Sequence, residues 1–293
     1  MVYELTKPLA RIALSVYFRK IFISNRHRIP TDKPVLFAAN HPSAFIEPCI
    51  LAVFLPRPLH YMARGDFFLK SAFFKTIYKW YHIVPIFRLQ DGGFAHLKDN
   101  FSAFDAATEI LKNNQQLLVL AEGTTIHEKR LRPIKKGAAR VAFGALEKYP
   151  DLDIQVVPVG VNYTNSDRFR SVAMIDFGAP FSARDFLETY RENENAGMQA
   201  LTQTIADALA ERVIHIRDPK ADADYEKVLS FLEYAHVPPD PPTLETHSDF
   251  LFLQKAVTDR LNDLEPDRRQ PVFDAVSAFE EKCKSLKINQ LGY

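Results

Sequence analysis

The sequence predicts an α/β protein: a central, mainly parallel or mixed sheet flanked by helices, followed by a helical C-terminal appendage. Three observations predict it. Short apolar, β-branched runs recur between residues 31 and 218. Stretches with helical periodicity separate them. Beyond about Asp218 no strand-like run remains. Strands alternating with helices build a sheet covered on both faces, and in such sheets ligands sit at the loops that follow strand ends.

The elements follow in order. From Met1 to Pro30 the basic residues are Lys7, Arg11, Arg19, Lys20, Arg26 and Arg28, opposed only by Glu4, a local net charge of +5. Leu9, Ile12, Val16, Phe18, Ile21, Phe22 and Ile23 lie between them. Residues 1–30 therefore read as a basic amphipathic helix, suited to the headgroup plane of an anionic membrane or to an ordinary core-facing role. Buried strands are expected at Val35–Ala39, Leu59–Ala63, Ile83–Phe87, Leu117–Ala121, Ile154–Tyr163 and Val172–Phe177. Asp66–Tyr81 interleaves aromatics with Lys70, Lys75 and Lys79, a second basic, membrane-compatible helix. Further helices are marked by Phe101, Phe104, Ile110 and Leu111, by Val141, Ala142, Ala145 and Leu146, and by Leu201, Ile205, Leu209 and Val213. The α/β domain spans residues 31–218. Residues 219–293 hold helical patterns at Tyr225–Ala235, Leu244–Leu264 and Pro271–Leu286, with the stiff break V-P-P-D-P-P, Val237 to Pro242, among them.

Composition narrows the classes. The chain has 293 residues, 47% hydrophobic and 25% charged, which is a globular balance. A net charge of +1 argues against a general nucleic-acid binder. Two distant cysteines, Cys49 and Cys283, suggest a reducing compartment and neither a disulfide framework nor a zinc site. No apolar run approaches the about 18 residues of a bilayer span, and no signal-peptide cleavage pattern is expected. Neither G-x-G-x-x-G nor a P-loop is present, which disfavours a nucleotide-binding protein.

The chemistry concentrates at strand ends. Val35–Ala39 runs into N-H-P-S-A-F-I-E-P, Asn40 to Pro48. His41 at a strand-to-helix corner is either a general base near neutral pH or a hydrogen-bonded structural histidine. Glu47, six residues on, orients it if the chain turns back between them. Ile83–Phe87 runs into Arg88, a residue suited to bidentate phosphate or carboxylate binding. Leu117–Ala121 runs into E-G-T-T, Glu122 to Thr125, and then into a loop rich in Lys129, Arg130, Arg132, Lys135, Lys136 and Arg140. Turn amides, basic side chains and a helix start together suit an anion.

In this order, N-H-P-S-A-F-I-E, V-P-I-F-R, A-E-G-T-T and V-V-P-V-G-V resemble the four blocks of the glycerolphosphate and lysophospholipid acyltransferase family. The resemblance spans roughly Pro34 to Pro180, and E-G-T with its basic loop is the most specific part. The chain departs from the family twice. The commonest first block puts four residues between histidine and an aspartate, whereas five separate His41 from Glu47; a five-residue variant, H-P-N-x-F-x-D, is familiar in the family. The arginine that often follows E-G-T is Thr125 here, leaving Arg130, Arg132 or Lys135 to supply the cation.

The resemblance implies the family's α/β fold and an O-acyltransferase. His41 would deprotonate an acceptor hydroxyl as it attacks a thioester carbonyl, and Glu47 would orient His41. Arg88, Glu122, Gly123 and Thr124, with Arg130, Arg132 or Lys135, would bind or shape the acceptor's phosphate site. Glu122 would do so by holding basic side chains or amides, and backbone amides would stabilise the oxyanion. Ser43 as a nucleophile is the less favoured route. The donor would be acyl-CoA or acyl-carrier protein, the acceptor a lysophospholipid or related lipid, and the location the cytoplasmic face of a membrane, peripherally. No bound cofactor, metal or nucleic-acid partner is implied. The alternatives are a catalytically silent lipid-binding or scaffold protein on the same fold, and acylation of an amino-acid lipid.

Overall fold

The computed structural model describes residues 2–43, 45–64, 72–86, 97–236, 243–245 and 249–287. Helix α1 (Val2–Tyr17) leads into strand β1 (Lys20–Ser24). The core alternation follows: β2 (Val35–Ala39), α2 (Ile46–Phe54), β3 (Leu59–Arg64), α3 (Ala72–Trp80), β4 (Ile83–Ile86), α4 (Leu97–Lys112), β5 (Gln116–Leu120), α5 (Gly137–Lys148) and β6 (Gln155–Tyr163). Then come β7 (Val172–Phe177), β8 (Phe181–Ser182), α6 (Leu187–Glu192), α7 (Glu194–Ala210), α8 (Asp222–His236), β9 (Thr243–Glu245), α9 (Asp249–Asn262) and α10 (Pro266–Ser285).

The described strands form one sheet in the order β4-β3-β5-β2-β6-β7-β1-β9, with β8 paired to β6. Pairings are parallel except β6 with β7 and β6 with β8, so the sheet is mainly parallel and mixed, as expected. Strand β2 shows why its sequence is an unbroken apolar run. Leu36 and Ala38 enter the core formed with α4, α5 and α7. Val35, Phe37 and Ala39 enter the opposite core, built with α2 and the inner side of α1. A strand buried on both faces has no polar side to alternate with.

Two expectations change. The helix expected over residues 1–30 stops at Tyr17, and Lys20–Ser24 is a strand parallel to β7. Its side chains reveal the two-residue period: Ile21 and Ile23 join the core beside α2, while Phe22 joins a separate cluster with Val172, Met174 and Leu229. The C-terminal region also contributes a strand, for Thr243–Glu245 pairs with Lys20–Phe22. The described parts of its three helices match the expected helical patterns within a few residues, and Val237–Pro242 lies outside the described residues. Of the aromatic-basic stretch Asp66–Tyr81, the helix Ala72–Trp80 is described and residues 66–71 are not. No helix among the described residues is long and apolar enough to cross a membrane.

Candidate active site

Parallel pairing sets the stage. Ala39, the last residue of β2, is in register with Leu120, the last of β5. The chain therefore leaves both strands side by side at one carboxyl edge, delivering Asn40-His41 and Ala121-Glu122 to the same place. The amide of Ala121 donates to Ala39 O at 2.7 Å, continuing the ladder past the strands. On the other flank of β2, Asn40 clamps the neighbouring strand in both directions: Nδ2 donates to Val161 O at 2.8 Å, and Oδ1 accepts from Val161 N at 2.7 Å. His41 is thus held between two fixed strands and is itself buried.

Glu47 lies in the first turn of α2, where a carboxylate suits the positive end of the helix. It is fully buried. Its Oε1 accepts a short hydrogen bond from the amide of Ser43, and its Oε2 stands 3.7 Å from His41 Nδ1. The turn between the two residues brings the acid back toward the ring, to a distance longer than a hydrogen bond. Neither His41 Nδ1 nor Glu47 Oε2 has a hydrogen-bond partner among the described residues. Two buried polar atoms facing each other, less than 1 Å beyond a normal bond, form a pair that tightens when the imidazole gains a proton. Such contacts are characteristically long in unliganded sites. The other ring nitrogen, Nε2, meets Thr125 Oγ1 at 2.6 Å. The nearby thiol of Cys49 is pushed up to about 11 by burial and then by the charge of Glu47, so it stays protonated and inert near neutral pH.

Glu122 is a strut. Its Oε2 accepts from the His41 amide at 2.7 Å and from Arg132 Nη2 at 2.9 Å, and its Oε1 accepts from the Arg132 amide at 2.9 Å. One buried carboxylate thereby ties the histidine loop to the basic loop. Arg132 closes the circuit, donating to Thr124 Oγ1 at 2.8 Å and to Thr124 O. Gly123 turns the chain at φ +70°, a conformation that favours glycine, and Lys135 lies beside it.

The three candidate cations separate clearly. Arg130 is brought elsewhere: it binds Ile216 O, Glu128 and Asp222, fastening the loop to the C-terminal region. Arg132 is bound to the E-G-T turn through Glu122 and Thr124. Lys135 is exposed and has no ion-pair partner among the described residues. Arg88 lies outside the described residues. Strand β4, which precedes it, is parallel to β3 and ends with Ile86 opposite Arg64, at the same carboxyl edge as His41.

Two hollows flank this edge. A polar pocket of about 150 Å³ beside Asn40 and Pro42 is lined also by Lys129, Asn162, Ser166 and Glu226. An apolar groove of about 100 Å³ runs between α1 and the start of α2, past Tyr3, Ala10, Pro48, Ala52 and Tyr61. Among the described residues no group of three or more His, Cys, Asp or Glu side chains is placed to hold a metal ion. The sequence did not reveal Asn40 as a clamp or Thr125 as a partner of His41. The first carried a signal, an asparagine directly before the histidine at a strand end; the second depends on the turn at Gly123 and had none.

A model of the acyltransferase family matches residues 20–162. Glycerol-3-phosphate O-acyltransferase 1 of Saccharomyces cerevisiae is 28% identical over 123 residues, covering 37% of this chain and 16% of that protein. Glycerol-3-phosphate O-acyltransferase 2 of the same yeast is 28% identical over 117 residues, covering 40% and 16%. An uncharacterized acyltransferase of Schizosaccharomyces pombe is 31% identical over 104 residues, covering 35% and 15%. The chain thus spans only about a sixth of the length of the curated relatives it matches. The crystal structure of the 1-acyl-sn-glycerophosphate (LPA) acyltransferase PlsC of Thermotoga maritima shares the fold, with a TM-score of 0.50 and 16% identity over 71% of this chain and 79% of that one. Through its residues 20–162, which hold the histidine–glutamate pair and the E-G-T turn, this chain matches the acyltransferase family and is similar to glycerol-3-phosphate acyltransferases.

Proposed function

We propose that the protein transfers a fatty acyl group from a thioester, acyl-CoA or acyl-carrier protein, to a hydroxyl on a glycerol-phosphate or lysophospholipid acceptor. The observation that carries this reading is the placement of His41, with a buried carboxylate on the Nδ1 side and a hydroxyl at Nε2. Nε2 removes the proton of the acceptor alcohol as its oxygen attacks the thioester carbonyl. Glu47 fixes the ring and stabilises the imidazolium that forms. Collapse of the tetrahedral intermediate breaks the C–S bond, and the imidazolium returns the proton to the leaving thiolate.

Oxyanion donors must come from outside the frame. The amides of His41, Ser43 and Gly123 are each spent on internal partners, while those of Thr124 and Thr125 have none among the described residues. The Thr124 amide is therefore assigned this role. Lys135 is the available cation for the acceptor's phosphate, with Arg132 as the fixed charge beside it. The similarity to the yeast glycerol-3-phosphate acyltransferases and the Thermotoga LPA acyltransferase supports a glycerol-phosphate acceptor.

A membrane surface fits α1. Leu5, Leu9, Ile12 and Val16 recur on one side of the helix and are 71%, 70%, 62% and 55% exposed, while Tyr3, Ala10 and Leu14 face the protein. An outward apolar stripe on a helix with flanking Arg11 suits anionic lipid, and an acceptor dissolved in a membrane requires such contact. The reading is tested with His41→Ala and Glu47→Gln, assayed with glycerol 3-phosphate and lysophosphatidic acid against acyl-CoA and acyl-carrier protein. Transfer should fall about 10²–10⁴-fold in the histidine variant; folded His41→Ala with wild-type turnover would remove the base from the reading.

A further inference from the structure

The open side of His41 is filled by a side chain that the mechanism does not use. Thr125 Oγ1 lies 2.6 Å from His41 Nε2; in the tautomer that carries the ring's proton on Nδ1, facing Glu47, the Nε2 lone pair accepts from this hydroxyl. That is the bond an acceptor alcohol must make before it loses its proton. Thr125 is delivered there by a fixed frame. Gly123 turns the chain, Arg132 grips Thr124 through both its hydroxyl and its carbonyl, and Glu122 ties Arg132 back to the His41 amide. The neighbours Thr124 and Ile126 are exposed and Thr125 is half-buried, so the Nε2 side opens toward solvent while the Nδ1 side is closed. A β-branched threonine has few χ1 states, and one rotation moves its oxygen off the ring without moving the backbone.

We propose that Thr125 is a positioning residue that occupies His41 Nε2 as a stand-in for the acceptor's hydroxyl and is displaced when the acceptor binds. The inference rests on His41 being the base. It gives the chain a way to spare its donor. An uncovered Nε2 takes a proton from water as the water oxygen attacks the thioester carbonyl; the C–S bond breaks, the imidazolium protonates the leaving thiolate, and a free fatty acid and a thiol result. With Thr125 on the base, water is not activated, and an alcohol held by its phosphate at Lys135 outcompetes the threonine where water does not. Threonine at the place where relatives of this family often carry arginine thus controls which hydroxyl reaches the base.

The test compares Thr125→Val, which keeps the shape and removes the hydroxyl, with Thr125→Ser, which keeps the hydroxyl. Hydrolysis of palmitoyl-CoA and palmitoyl acyl-carrier protein without acceptor, and the KM for lysophosphatidic acid and glycerol 3-phosphate, are measured for each. Thr125→Val should hydrolyse the donor about threefold to tenfold faster and show an acceptor KM lower by a similar factor, the range one neutral hydrogen bond spans; Thr125→Ser should track the wild type. Unchanged hydrolysis and unchanged KM in Thr125→Val would overturn the proposal. So would an acyl ester on Thr125 seen by intact mass after wild-type enzyme meets donor alone, because the threonine would then be a nucleophile. Failure of the underlying reading looks different: His41→Ala would keep full transfer whatever the Thr125 variants do.

Discussion

The helix at each end of the α/β core is attached by different means. Helix α1 packs its inner side on the sheet through rings: Tyr3 stacks on His82 at 4.8 Å, and His82 stacks on His60 at 4.5 Å. Its outer side is the apolar stripe. Helix α8 seats Tyr225, Val228 and Leu229 in apolar clusters and is fastened further by charge. Glu233 takes the buried guanidinium of Arg19 at 2.5 Å, Glu226 takes Lys129 at 2.7 Å, and Asp222 takes Arg130 at 2.8 Å. A helix that keeps apolar surface for a partner and a helix that spends its acids on the active-site loop have different tasks. The first is free to meet a surface, and the second fixes the basic loop beside His41.

The comparison can be broken at its strongest point first. Glu233→Ala leaves the buried Arg19 guanidinium without its carboxylate and should cost about 3–5 kcal/mol, read from the shift in urea midpoint. A loss below about 1 kcal/mol would mean that α8 is not held by charge. Acid should act on the other helix. Burial, and then the neighbouring His82, hold His60 down to about 4, and burial likewise lowers His82, which also faces Glu4 and Lys7 of α1. Both rings are therefore neutral in the fold, whereas the unfolded chain takes up protons near pH 6.5. The stability they contribute is complete above pH 6.5 and is lost as pH falls toward 4, by up to about 2 kcal/mol after allowance for solvent screening. Hydrogen exchange across that window should deprotect α1 before α8.

Tyr3→Phe is a smaller cut. The hydroxyl accepts from Leu59 N at 3.2 Å and donates to Ala52 O at 3.1 Å, so its removal should cost about 1 kcal/mol in thermal or urea denaturation. The smallest effect on stability belongs to the outer face. Leu9→Glu with Ile12→Glu should change stability by less than about 0.5 kcal/mol yet abolish binding to anionic vesicles in flotation. Full binding by this double variant would assign the membrane contact to another surface.

Much of this arrangement could be read from the chain. Val35–Ala39 and Val172–Phe177 are strands with the expected limits because their apolar runs are short, β-branched and bounded by polar turns. His41, Glu47 and the E-G-T turn stood out as polar residues directly after buried strands. Strand β1 was hidden because Lys20 opens it and Arg19 precedes it, so K-I-F-I-S continues the basic pattern of α1; Glu233, more than two hundred residues away, makes the Arg19 charge tolerable inside. Strand β9 is three residues beside a proline-rich break, too short for any periodicity. The choice among Arg130, Arg132 and Lys135 was not legible either, since it turns on Asp222 and Ile216, which no local pattern links to the loop. The contact of Thr125 with His41 depends on a backbone turn and not on residue type.

The place of β1 in the sheet also bears on how the chain is made. Among the described residues, Lys20–Ser24 pairs with Val172–Asp176 and with Thr243–Glu245, and with no strand synthesised sooner. During translation at about 5–20 residues per second, the segment K-I-F-I-S waits roughly ten seconds or longer for its first neighbour. Through that interval it is an apolar strand with two open edges, next to a helix with an apolar outer stripe, which is the kind of surface that recruits chaperones or aggregates. Early docking of the nascent α1 on a bilayer would shield both, so the helix proposed above to meet lipid would also chaperone its own first strand.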